Sequence, residues 1–232
     1  MGIGTEMKNL FIILTNNNRI SDIDACRVSW LRSEDYLLLS DVNIPELNSV
    51  GFDWEDGVSH KTNHKLFNLF RHKHDLILDY DWVTFLDDSC YIFNDKVKKE
   101  LEIRMGSRLP RIMGNDTITK IDNFINSQAW GHVPEENLFN LRTGISINKA
   151  FAIRTIDIFK SFKKNEHVKF LNETLLDDMF FYFLTQKIDP KITQLKNRVF
   201  INACENFEEH FKEYSIIGGL NAAEKTLILE KG

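Results

Sequence analysis

The chain has 232 residues, 43% of them hydrophobic, which is enough to bury one substantial core. Only 11 Gly and 4 Pro exclude a disordered or low-complexity chain, and a net charge of −5 excludes a nucleic-acid binder by bulk charge. Three cysteines, Cys26, Cys90 and Cys204, without a C-x-x-C pair, predict free thiols in a reducing compartment rather than a disulfide framework.

Residues 8–14, KNLFIIL, read as a buried first strand, too short for a signal peptide or a membrane span. The polar turn Thr15-Asn16-Asn17-Asn18 follows, then a helix from about Ser21. Ser21-x-x-Asp24 has capping-box spacing, and Ile20, Ile23, Trp30 and Leu31 share one stripe. YLLLS, 36–40, is the second strand. Strand, helix and strand within about 30 residues make a βαβ unit and predict a parallel sheet.

A helix is expected from about Val58 to Arg71, then strands at 82–86 and 90–93, with Asp87, Asp88 and Ser89 between them. LPRIM, 109–113, reads as a strand ending at Gly114. GISI, 144–147, is another strand and feeds a helix over 149–162. An apolar helix runs from about Thr174 to Gln186, and NRVFI, 197–201, is a late strand. The C-terminal stretch with its Gly218-Gly219 break is expected as a mobile tail, giving one domain over 1–210 and an extension over 211–232. The whole predicts one α/β domain with a mixed, mostly parallel central sheet flanked by helices.

The strongest chemical signal is DWVTFLDD, 81–88, which sets two carboxylates just beyond the carboxyl end of an apolar strand. That end binds ligands in open α/β sheets. Adjacent acids there suit ribose hydroxyls or a divalent cation bridging phosphates, and serve equally as a polar turn. Asp177-Asp178 opens the late apolar helix; by itself such a pair is a cap, and in a site it is a general base. His60 and His64 stand i, i+4, and His72 and His74 follow, but the zinc-protease pattern fails, and a solvated helix face is the expectation. The basic stretches 96–111 and 160–169 are expected as solvated helix faces.

Taken in order, these segments resemble the Fringe and β-1,3-glycosyltransferase group of GT-A glycosyltransferases. TNNNRISDIDACRVSWL, LLLSD, DYDWVTFLDDSCYIF, RIMGN, LRTGISINKA, LLDDMFFYF and FINACENF carry the resemblance over roughly residues 9–208. It implies a GT-A-like fold and inverting transfer of a sugar from a UDP-sugar to a hydroxyl acceptor, glycan or lipid-linked. Asp178 would be the base with Asp177 beside it. Thr15, Arg19, Asp41 and Lys65 would contact the nucleotide, and Asp87, Asp88, Ser89 and Gly144 would line the donor site. The family's divalent metal, Mn²⁺ or Mg²⁺, loses two ligand positions here, Ser89 and Ala203. That leaves Asp88, with His210 as a substitute in another register, and predicts weak or no metal dependence. With no anchor expected, the resemblance points to a cytoplasmic protein in a bacterial or viral setting, or to a trimmed chain. The rival readings are transfer to a hydroxylated DNA base, supported by 96–111 alone, and a non-catalytic sugar-nucleotide- or glycan-binding protein. Without metal, Arg198 or Lys196 would meet the leaving-group charge.

Overall fold

The computed structural model describes residues 7–16, 18–40, 43–51, 62–115, 139–173, 177–200 and 211–231. Within those ranges the side chains of residues 164, 167, 168, 172, 173, 177 and 178 stay outside the description. The strands are β1 (Asn9–Leu14), β2 (Asp35–Ser40), β3 (Val50–Gly51), β4 (Trp82–Asp87), β5 (Tyr91–Ile92), β6 (Arg111–Gly114), β7 (Ile145–Asn148), β8 (Lys191–Gln194), β9 (Arg198–Phe200) and β10 (Ile216–Gly218). The helices are α1 (Ile20–Val28), α2 (Thr62–His72), α3 (Asn94–Glu102), α4 (Lys149–Ser161), α5 (Lys164–Glu173), α6 (Asp177–Ile188) and α7 (Ala222–Lys231).

Seven strands form the central sheet in the order β3-β2-β1-β4-β7-β6-β8, and β7 alone runs against its neighbours. The sheet is therefore mixed and mostly parallel, as expected from the sequence. The remaining strands make a small sheet in the order β5-β10-β9. β1 shows why the fold is layered. Its Leu10, Ile12 and Leu14 enter one core cluster, and Phe11 and Ile13 enter another. A strand apolar on both sides has to be covered on both. α2, α4, α5 and α6 cover the first face through interlocked rings, among them Phe67–Phe159 at 4.9 Å and Phe159–Phe170 at 5.3 Å between centroids. Each fully buried Phe there contributes about 1.5–3 kcal/mol. α1, α3 and α7 cover the second face with Ile23, Cys26, Val97, Leu101 and Ile228.

Several expectations need correction. α1 begins at Ile20, its N-cap is Arg19, and no side chain caps it, so Ser21-x-x-Asp24 is not a capping box. Ile20 is exposed, whereas Ile23, Trp30 and Leu31 are buried. His64 is 5% exposed and belongs to the buried side of α2 rather than a solvated face; His60 lies outside the described residues. Residues 96–111 are not one helix face: α3 ends at Glu102, and its Lys96 donates to the Tyr214 carbonyl at 3.2 Å. The C-terminal stretch supplies β10, the middle strand of the small sheet, and α7, which packs against α1. Asn221 starts α7 with a reciprocal cap: its Oδ1 accepts from the Glu224 amide at 3.0 Å, and its amide donates to Glu224 Oε2 at 2.7 Å. Among the described residues, no helix is long and apolar enough to cross a membrane.

Candidate functional site at the carboxyl ends of β1 and β4

From β1 the chain moves outward to β2 and β3, then returns to lay β4 on the other side of β1. The strand order reverses between β1 and β4, and such a switch point opens a crevice at the strands' carboxyl ends. The polar residues that follow these two strands meet there. Thr15 Oγ1 donates to Asp88 Oδ2 at 2.7 Å, and Arg19 Nη2 lies 3.1 Å from Asp88 Oδ1. Arg19 Nε stands 2.8 Å from Asp22 Oδ2 as an ion pair without hydrogen-bond alignment. Lys65, 5% exposed on α2, donates from Nζ to the Thr15 carbonyl at 2.8 Å.

The adjacent acids have different jobs. Asp87 Oδ1 accepts from the Ser89 amide at 2.8 Å and from the Ser89 hydroxyl, closing the turn after β4. Its Oδ2 faces Arg142 Nε at 3.9 Å. Asp88 turns inward and is 5% exposed. Burial pushes its carboxyl up to about 6, helped by the Asp87 charge and opposed by the Thr15 hydrogen bond, Arg19 and Lys225. Behind it, Lys225 of α7 is fully buried. Its Nζ donates to the Asp88 carbonyl and, at 3.3 Å, to the Asp22 carbonyl, and stands 3.5 Å from Asp22 Oδ1. The thiols of Cys26 and Cys90 lie in the same interior. Cys26 Sγ points at the carbonyls of Asp88 (3.8 Å) and Cys90 (3.7 Å).

Gly144 sits where β7 begins, with φ at +81°. The positive φ favours glycine, and a Cβ there would stand 2.6 Å from Ile216 Cδ1 and 2.9 Å from Leu86 Cδ2, so two buried side-chain ends would have to shift as well. Its carbonyl accepts from Arg198 Nη1 at 3.1 Å. Arg198 is fully buried, and its Nη2 pairs with Glu100 Oε2 at 3.0 Å. That engagement removes Arg198 as a cation for a leaving group.

A cavity of about 430 Å³ opens over this cluster, lined by Arg19, Asp22, Asp87, Ser89 and Arg142, with Phe200 and the start of α7 as its far wall. A second cavity, about 390 Å³, lies at the opposite edge of the sheet, among Lys8, Asn9, Glu34, Asp35 and Lys98, and no predicted site residue lines it. Of the predicted residues, Thr15, Arg19, Lys65, Asp87, Asp88, Ser89 and Gly144 are brought together. Asp41, Ala203 and His210 lie outside the described residues. Asp177 and Asp178 form the first turn of α6. That helix ends three residues before β8, at the amino edge of the sheet, so its first turn reaches back toward the carboxyl edge. Phe181, on the next turn, packs on Phe85 of β4 at 5.3 Å.

The sequence reading missed Asp22, Arg142 and Lys225. Lys225 carried a signal: it takes a buried position three residues before Ile228, where an apolar residue is expected. The described residues do not fit a divalent ion. Asp88 has both oxygens engaged, Asp87 has one, and no group of three metal-ligating side chains occurs among them.

No protein-family model and no curated protein matches the sequence. Solved structures match its fold. A glycosyltransferase involved in glycosylation of the major capsid of PBCV-1 matches over 97% of this chain and 100% of its own, with a TM-score of 0.50 at 10% identity. Mouse xyloside xylosyltransferase 1 matches over 92% of this chain and 97% of its own, with a TM-score of 0.50 at 12% identity. The central sheet, the helices on both of its faces and these two likenesses give the chain the α/β fold of the GT-A glycosyltransferases.

Proposed function

We propose that the protein is an inverting glycosyltransferase of the Fringe-like kind, moving a sugar from a UDP-sugar to a hydroxyl on a glycan or lipid-linked acceptor. The observation that carries the reading is the convergence of Arg19, Asp87 and Ser89 around one cavity at the β1–β4 switch point, with Thr15 holding Asp88 behind them. Nucleotides bind at such points because the crevice admits a flat base between strand ends while loop groups take its sugar and phosphates. Asp87 Oδ2, free of a hydrogen bond among the described residues, is the acceptor offered to a ribose hydroxyl.

In the reaction, Asp178 takes the proton of the acceptor hydroxyl. The hydroxyl oxygen forms its bond to the anomeric carbon from the face opposite UDP, and the bond to the β-phosphate oxygen breaks with its electron pair leaving on UDP. Inversion follows from that geometry. A carboxylate suits the base role because the hydroxyl acidifies only as its new bond forms. No step runs through a metal. None of the described residues 96–111 lines the cavity, so nothing favours a DNA acceptor.

The test is a thermal-shift panel of nucleotide-sugars. UDP or a UDP-sugar is expected to raise the melting temperature more than GDP- or CMP-sugars do; a hundredfold excess over Kd adds about 2.7 kcal/mol to the folded state. The absence of a shift with every uridine nucleotide at millimolar concentration would overturn the assignment.

A further inference from the structure

Resting on that reading of the cavity as a nucleotide-sugar site, we propose that Arg142 binds the donor's diphosphate and meets the charge that grows on it as the sugar leaves. The cations near the cavity divide cleanly. Lys65 and Lys225 are buried and donate to backbone carbonyls, and Arg198 is fully buried against Glu100. Arg19 lines the cavity but is held by Asp22 and Asp88. Arg142 lines the cavity with its side chain 59% exposed and makes no side-chain hydrogen bond among the described residues. Its nearest carboxylate oxygen, on Asp87, is 3.9 Å away, and its guanidinium lies 5.8 Å from the Phe200 ring centroid.

The head of this side chain is only loosely paired, with Asp87 at the outer limit of an ion pair, but its backbone is fixed. The Arg142 amide donates to Asn140 Oδ1 at 2.9 Å, and its carbonyl accepts from the Cys90 thiol at 3.2 Å. β10 passes so close that a Cβ on Gly218 would stand 1.6 Å from the Arg142 carbonyl oxygen. The small sheet thus clamps the short turn that presents Arg142 beside the end of β4. A planar guanidinium on a fixed stem, with two terminal nitrogens free, suits bidentate binding of phosphate oxygens. When the anomeric carbon–oxygen bond breaks, the electron pair stays on the β-phosphate oxygen, and the diphosphate gains one negative charge. A cation already aimed at that oxygen gains strength toward the transition state. The Phe200 ring limits where the guanidinium can swing, which lowers the ordering cost of binding.

Calorimetric titration separates this inference from the reading beneath it. The probes are UDP, CDP, GDP and ADP with their matched nucleosides, on wild type, Arg142→Ala and Arg142→Lys, each first shown to melt cooperatively. Arg142→Ala is expected to weaken the bound nucleoside diphosphate about tenfold or more while leaving its nucleoside unchanged. Turnover should fall further than donor KM rises, by about 10²-fold in kcat, and Arg142→Lys should recover part of both. Unchanged diphosphate affinity and turnover in Arg142→Ala would overturn the role of Arg142 and leave the nucleotide site standing. An equal loss of nucleoside and diphosphate affinity would also overturn it, because it would mark a purely structural residue. Wild type that binds none of the four diphosphates would instead bring down the nucleotide-sugar reading, and the inference with it.

Discussion

Lys225 offers a sharp test of how the site is held. Replacing it by Met keeps the stem and removes the ammonium. The variant removes the ammonium that donates to the Asp88 and Asp22 carbonyls and that stands 3.5 Å from Asp22, whose side chain is only 13% exposed. Breaking a buried charge pair by removing one partner costs about 3–5 kcal/mol. Arg19 remains beside Asp22, so the lower end of that range, about 3 kcal/mol, is expected. For a domain of this size each kcal/mol moves Tm by about 2–4 °C, so Lys225→Met should melt roughly 6–12 °C lower. The assay is urea unfolding followed by tryptophan fluorescence, with Asp22→Asn and the double variant completing a cycle. The double variant should recover part of the loss, because neighbouring charges couple. A Lys225→Met protein within about 0.5 kcal/mol of wild type, the scatter of ordinary surface substitutions, would show that this buried pair does not hold the site.

Asp178→Asn should lower transfer about 10²- to 10⁴-fold with donor binding and melting unchanged; full activity there together with a dead Asp177→Asn would move the base to Asp177. Transfer should persist in excess EDTA, since Asp88 already has both oxygens engaged; complete loss with full rescue by Mn²⁺ would show otherwise. Asp88 keeps its proton up to about pH 6 in the folded protein, whereas the unfolded chain loses it near the usual carboxylate value. Its contribution to stability is therefore full at acid pH, falls as pH rises from about 4 to 6, and stays low above, by on the order of 2–3 kcal/mol. Asp88→Asn should flatten that part of the pH–stability curve. Gly144→Ala should destabilise by roughly 2–5 kcal/mol from strain and crowding, read as a drop in the urea midpoint.

The parts of this fold that the sequence showed plainly are those where one local rule decides. β1 and β4 are apolar runs closed by polar turns, and the residues just past them, Thr15, Arg19, Asp87 and Asp88, reached the site because strand ends converge at a switch point. A helix is expected within 96–111, but NDKVKKELE carries only Val97 and Leu101 on its buried stripe, so the charges mask where α3 begins and ends and which side it buries. β8 is a short edge strand, KITQ, whose exposed residues lack the apolar signature of an interior strand. The true capping box, Asn221 with Glu224, lies just past a Gly218-Gly219 break that reads as the start of a tail, while the decoy at Ser21 lies where the apolar stripe alone predicts a helix. Arg142, Asp22 and Lys225 act through contacts between distant segments; Lys225 reaches the Asp88 carbonyl across 137 positions, and no local pattern encodes that pairing.

The buried thiols beneath the cavity give the molecule an internal reporter. Burial pushes Cys26 up to about 11 and Cys90 well above the ordinary thiol value, so neither carries reactive thiolate in the closed protein. Both lie against the backbone that Asp88 and Arg142 share with the cavity, so a labelling reagent reaches them only when that backbone opens. In a Cys204→Ser background, the rate of thiol modification becomes a clock for opening of the β1–β4 crevice. A ligand that settles in the cavity should slow that clock in proportion to its occupancy.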